Sequence, residues 1–275
     1  MTQPFLSELS IETLDANLFR GTAREGAPGR IFGGQVAAQA LVAAGRTVGD
    51  DKLAHSCHGF FLRAGDPARP VIYDVDRIRD GGSFTTRRVR ALQAGQAIFN
   101  LSASFHVSEP GPDYQTPRSH EVVPGPDTVD GGGWRDGIVD VREVSALVDP
   151  ADRGGTVRRL VWFRVPGPMP AVDVDPLAHA AAITYVSDHG PIGALRLALL
   201  PDAVEGEEWG LIVASLDHCV WFHRPARADE WLLLDVEARV AGRGRGLSTG
   251  TIATTDGEVV ASIAQEALLR VPRER

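Results

Sequence analysis

The sequence predicts an α+β chain built from a duplicated unit, with two antiparallel sheets each wrapped around a central helix. Three observations carry this. Two Ala-rich helical runs, VAAQALVAAGRTV and LAHAAAITYV, are each followed by a meander of strand-like segments. Short matches recur at a fixed offset: Phe61-Leu62-Arg63 against Phe222-His223-Arg224 and Asp74-Val75-Asp76 against Asp235-Val236-Glu237 are each 161 positions apart, and Gly95 and Gly257 are 162 apart. Between the copies, Pro110 to Gly133 is rich in Pro, Gly and Asp and has little pattern, as a linker would. The expected division is an N-terminal unit at 1–109, a linker at 110–134 and a C-terminal unit at 135–275.

Taken in order, Leu18 to Thr22 reads as a short lead-in strand. Gly33-Gly34 opens the first helix, whose apolar residues are too dense for one exposed face, so it is expected to be buried nearly all round. The glycine pair suits close packing, or the close approach of a ligand, at the helix start. HSCHGFFLR, PVIYDVDRIRD, SFTTRRVRALQ and AIFNLSASFHV alternate with period two, with turns at Gly81-Gly82 and Ala94-Gly95. Arg87, Arg88 and Arg90 read as a solvated strand face. After the linker, VRRLVWFRV is a strand, and Asp175 is placed to cap a helix with Pro176 at its first position. IVASLDHCVWFHR, EWLLLDVEARV, LSTGTIATT and EVVASIAQEALLR complete the second meander, with a bulged turn at AGRGRG and a hairpin turn at Asp256-Gly257.

Composition narrows the function. Net charge is -8 and no basic face accumulates, so a nucleic-acid partner is not expected. No stretch approaches the roughly 18 apolar residues of a membrane span. MTQPFLSELSIETLD lacks the marks of a secretory signal, and two cysteines make no disulfide framework, so a cytoplasmic setting is expected. His55, Cys57 and His58, or His218, Cys219 and His223, have no zinc-site spacing and alternate over both strand faces, so no metal is expected. Asp217 and His218 are strand neighbours facing opposite ways and form no dyad. AGRGRG is no phosphate loop, and a Gly-x-Ser-x-Gly elbow is absent.

Three polar residues stand out. Val259, Ala261, Ile263, Gln265, Ala267 and Leu269 share one strand face, and only one of them is polar. The matching face of the first copy is Ala97, Phe99, Leu101, Ala103 and Phe105, with Ala103 in the place of Gln265 (265−103=162). A buried amide needs hydrogen-bond partners. Gln265 is either a core amide satisfied by backbone or a functional group, and its absence from the other copy favours function. Asp188 lies where the second helix breaks, on the face of Leu177, Ala181 and Thr184, placed to act as a general base or to cap the following turn. Ser215 replaces Ala54 of the first copy (215−54=161), but alternation does not turn it toward the other two.

FGGQVAAQALVAA, HSCHGFFLRAGDPARPVIYDVDRIRDGGSF, SLDHCVWFHRP, DEWLL and DGEVVASIAQEALLR resemble the acyl-CoA thioesterase II family, from about Leu18 to Arg270 with the linker poorly matched. The resemblance implies a double hotdog, and hydrolysis of fatty acyl-CoA to free fatty acid and CoA with no cofactor. It implies acyl-CoA as the partner, with assembly as a homo-oligomer expected. It further implies that Asp188, Ser215 and Gln265 of the C-terminal unit orient a nucleophilic water, the N-terminal unit lacking active residues. Ser215 stands where the family has threonine, which keeps the hydroxyl and loses the β-methyl that stiffens the rotamer. Two rivals remain: a non-catalytic acyl-CoA-binding or regulatory protein on this fold, and an enoyl-CoA hydratase-type hotdog enzyme, for which His189 beside Asp188 is the pointer.

Overall fold

A computed structural model describes residues 4–24, 29–116, 123–129, 138–145, 156–200 and 210–272. The first part of the chain forms α1 (Pro4–Leu9), β1 (Ile11–Asp15), β2 (Leu18–Gly21), α2 (Gly33–Gly45), β3 (Lys52–Phe61), β4 (Val71–Asp80), β5 (Phe84–Gln93) and β6 (Gln96–Val107). The second forms β7 (Asp140–Glu143), β8 (Arg158–Arg164), α3 (Pro176–Ser187), α4 (Pro191–Leu199), β9 (Ile212–Ser215), β10 (Asp217–Phe222), β11 (Leu232–Gly242), β12 (Arg245–Thr254) and β13 (Val259–Arg270). The helix start at Pro176 is as expected, with the Asp175 carboxylate accepting from the Ala178 amide at 3.0 Å.

The two expected sheets are one. Strands run β1-β2-β4-β5-β6-β3-β10-β13-β12-β11-β8-β7, all antiparallel, with β9 also on β13. They are continuous because β3 and β10 would each be an unpaired edge, and each satisfies the other's backbone. His58 faces Cys219 at this seam, and those residues are themselves one repeat apart (219−58=161). The halves therefore meet through equivalent strands about a local two-fold axis, and the strand order reads alike outward from it.

One apolar core runs across both halves, from Leu41, Phe99 and Phe105 to Val220, Ile263 and Ala181. Helix α2 is buried from Gly34 to Ala44, as its composition requires. It lies antiparallel to α3, since Gly34 at its start meets Tyr185 and Gly45 at its end meets Leu177. Helix α4 covers β8, β11, β12 and β13. Among the described residues no helix is long and apolar enough to cross a membrane.

One reading needs correction. Arg87 is not on a solvated face: it is 1% exposed, donates to Thr47 Oγ1 at 2.8 Å and to the Thr47 carbonyl at 2.9 Å, and pairs with Asp80. Alternation along β5 turns Arg87 inward and leaves Arg88 and Arg90 outside, paired with Asp76 and Asp74. Part of the stretch expected to be a linker packs against the second half. Residues 117–122 and 130–134 lie outside the described set, but Val123 and Val129 pack on Trp162, Leu160 and Leu233, and Trp162 Nε1 donates to the Pro124 carbonyl at 2.8 Å.

The α2–α3 crossing sets a stability test. A methyl group on Gly34 would lie 2.4 Å from the Tyr185 carbonyl oxygen, so Gly34→Ala must push the helices apart. A loss of about 1–3 kcal/mol in urea unfolding is expected; an unchanged midpoint would show that the helices have room to spare.

Candidate active site

Asp188 caps the C-terminus of α3 and is 6% exposed. Ser215 ends β9, and Gln265 lies inside β13 at 1% exposure, among buried Ala261, Ile263, Ala267 and Leu269. The Ser215 hydroxyl donates to Asp188 Oδ1 at 3.3 Å, and the Gln265 amide nitrogen donates to Ser215 Oγ at 2.8 Å. All three expected residues are thus in one hydrogen-bonded set.

Strand alternation failed to bring Ser215 there because the strand is not regular. Ser215 pairs with Ala267 and Cys219 with Ala264, so the pairing sum rises from 482 to 483 between β9 and β10. One extra residue, at Leu216, is accommodated as a bulge. It is held by the Leu216 amide on the Glu266 carbonyl (2.9 Å), the Glu266 amide on Asp217 Oδ1 (2.6 Å) and the Phe61 amide on the Leu216 carbonyl (2.9 Å). The bulge reverses the parity of the strand, so Ser215 and His218, odd and even, face the same side. The first copy carries the same irregularity between Ala54 and Ser56.

His218 is the residue that alternation hid. It is 2% exposed, with Nδ1 2.6 Å from Gln265 Oε1 and Nε2 2.7 Å from Ser187 Oγ. Its equivalent in the first copy is Cys57 (218−57=161), which is also buried. Burial lowers the His218 pKa, against the opposing effects of Asp188, the Gln265 hydrogen bond and Asp217. Its signal in the sequence was a histidine on the apolar register of Val220; that it shares a face with Ser215 is legible only once the bulge is known.

The start of α2 closes the site from the other half of the chain. A methyl group on Gly33 would lie 2.8 Å from Asp188 Oδ2 and 2.8 Å from the Phe61 ring, so only glycine lets the helix come this near the carboxylate. The N-cap residue Phe32 supplies no side-chain hydrogen bond, and the first amides of a helix have no intrahelical acceptor. They present partial positive charge toward Asp188. The His189 ring lies against Phe32, with centroids 4.1 Å apart.

Burial pushes the Cys57 thiol up to about 12 and the Cys219 thiol up to about 11, so neither is a thiolate near neutral pH. Among the described residues no three His, Cys, Asp or Glu side chains gather as metal ligands. A polar groove on the opposite sheet face, lined by Arg158, Asp235, Glu237, Arg239, Thr249 and Thr251, is separate from these residues.

His218 couples this site to pH. Its folded pKa lies below the ordinary 6.5, so as pH falls through about 6.5 the unfolded chain takes up a proton that the folded site resists. Its contribution is therefore full above that pH and declines below it. The urea midpoint is expected to fall between pH 7.5 and 5.5, and less steeply in His218→Asn; equal slopes would mean that His218 does not carry the effect.

Comparison with known proteins adds a family. Residues 23–106 match the model of the acyl-CoA thioesterase N-terminal domain, and residues 117–269 that of the acyl-CoA thioesterase C-terminal domain. The chain is 37% identical over 287 residues to human acyl-coenzyme A thioesterase 8, covering 96% of this chain and 88% of the relative. It is 33% identical over 285 residues to acyl-CoA thioesterase 2 of Haemophilus influenzae, covering 95% of each. The crystal structure of acyl-CoA thioesterase II TesB2 from Mycobacterium marinum superposes with a TM-score of 0.85 at 40% identity over 98% of both chains.

Proposed function

The chain belongs to the acyl-CoA thioesterase II family and is an acyl-CoA thioester hydrolase, and on that premise we propose that it splits fatty acyl-CoA with a water held and activated by Asp188, Ser215 and Gln265. The fold under this reading is a double hotdog: a unit at 1–109 that lacks the three active side chains, a linker at 110–134, and a unit at 135–275 that carries them. The observation that supports it best is the continuous Asp188–Ser215–Gln265 contact beside Gly33 at the start of α2.

Asp188 takes a proton from the water, whose oxygen attacks the thioester carbonyl carbon. The carbonyl π electrons move to oxygen, and the amides of Gly33 and Gly34 stabilise that oxyanion in a site largely cleared of water. Collapse re-forms the carbonyl and breaks the carbon–sulfur bond, and the departing CoA thiolate recovers the proton from Asp188. The products are the free acid and CoA. Gln265 keeps a second amide hydrogen beyond the one given to Ser215, and this serves to hold the water. No step calls for a cofactor. Ser215 fills the family's threonine position with its hydroxyl function intact, so Ser215→Thr is expected to retain hydrolysis.

Thiol release from decanoyl- or palmitoyl-CoA is the test. Asp188→Asn is expected to lower kcat by about 10²–10⁴ while acyl-CoA still binds. A wild-type protein that binds acyl-CoA without releasing thiol would instead support the non-catalytic reading. Full turnover in Asp188→Asn would remove the base from the mechanism.

A further inference from the structure

The buried histidine has no part in the mechanism above, although it touches one of its members. We infer that His218 is a positioning residue that fixes which way the Gln265 amide faces, and through it directs the Ser215 hydroxyl at Asp188. This rests on the thioesterase reading of the site.

The inference follows from hydrogen counting. Ser187, His218, Gln265, Ser215 and Asp188 form one chain of contacts at 2.7, 2.6, 2.8 and 3.3 Å. Each neutral link has a donor side and an acceptor side, so the chain can run in two directions. In one, the Ser187 hydroxyl donates to His218 Nε2, Nδ1–H donates to Gln265 Oε1, the amide donates to Ser215 Oγ, and Ser215 donates to Asp188. In the other, Ser187 gives its hydrogen to the Thr184 carbonyl, 3.0 Å away, and accepts from Nε2–H. Nδ1 is then bare, the Gln265 amide must turn over to donate to it, and Ser215 must donate to Gln265. That leaves a lone pair of Ser215 facing Asp188.

The charge at the end of the chain selects the first direction. An ionised carboxylate only accepts, and a hydrogen bond to it is about twice as strong as a neutral one. A doubly protonated imidazole would also put Nδ1–H on Gln265, but the ring is sealed from water and lies between α3 and β13. Burial lowers its pKa, although Asp188 and Asp217 pull the other way. The neutral Nδ1–H tautomer therefore holds Gln265 with its amide nitrogen toward Ser215 and the water. In the first half of the chain the places of Ser215, His218 and Gln265 are taken by Ala54, Cys57 and Ala103, so the three strand members of this five-residue line are replaced together.

Two variants separate this role from simple core filling. Asn at this position places its amide where Nδ1 lies, whereas Gln places its amide where Nε2 lies and leaves Gln265 without a donor. His218→Asn is expected to keep kcat within about 5-fold of wild type and His218→Gln to lower it about 10²-fold, with KM unchanged in both. In a Gln265→Ala background, His218→Gln should cost nothing more, because its effect passes through the missing amide. Independent of folding of any variant, the ¹⁵N shifts of histidine-labelled wild type should report the Nδ1–H tautomer for His218. Equal losses in the two variants, multiplying effects in the double variant, or the Nε2–H tautomer would each overturn the inference. Failure of the hydrolase reading looks different: wild type would release no thiol, or Gln265→Ala would lose nothing.

Discussion

A single extra residue in one strand governs the site. Leu216 interrupts the pairing of β9 and β10 with β13, and without that interruption Ser215 and His218 would lie on opposite faces of the sheet. The bulge is fixed at three points, by the carbonyl and amide of Glu266 and by the Phe61 amide on β3. Strand β3 belongs to the first half of the chain, so the irregularity that shapes the site is held in part by the half that lacks the polar residues. A bulge of this kind is a device for re-aiming side chains, and here it re-aims two of them at the end of α3.

The halves divide the work unequally. Both keep the bulge, the strand order and a buried helix, but only the second fills the inward positions with Ser215, His218 and Gln265. The first places Ala54, Cys57 and Ala103 there, which need few or no hydrogen-bond partners. Its contribution is to the boundary of the site: α2 arrives end-on at Asp188 because Gly33 offers no side chain to obstruct the carboxylate. The antiparallel contact of α2 with α3, tight at Gly34 and Tyr185, delivers it there. In the mechanism proposed above, backbone amides from one half and side chains from the other act together.

Much of this was legible in the sequence. The repeat offset located the matching strands, the Asp175-Pro176 pair located the start of α3, and the lone amide among apolar residues marked Gln265 as buried and unusual. The β3–β10 seam was not foreseen, since two separate sheets were expected, although the residues that face each other there are one repeat apart. What could not be read depends on long-range pairing. A one-residue bulge leaves no mark on hydropathy but inverts what alternation says across it, which is why Ser215 looked misdirected; His218 was set aside on other grounds, lacking zinc-site spacing and a dyad with Asp217. Arg87 was misread for a related reason, since a buried arginine bonded to Thr47 and Asp80 resembles its solvated neighbours until its partners are placed. The short elements α1, β1, β7 and α4 lack the length for a periodic signal.

The claim that three side chains act on one water has a direct measurement. Thiol-release rates for Asp188→Asn, Ser215→Ala and Gln265→Ala, singly and combined, report whether the residues act as a unit. Shared action on one water makes the combined variants about as slow as the slowest single variant. Losses that multiply from one variant to the next would show three independent contributions and contradict the account.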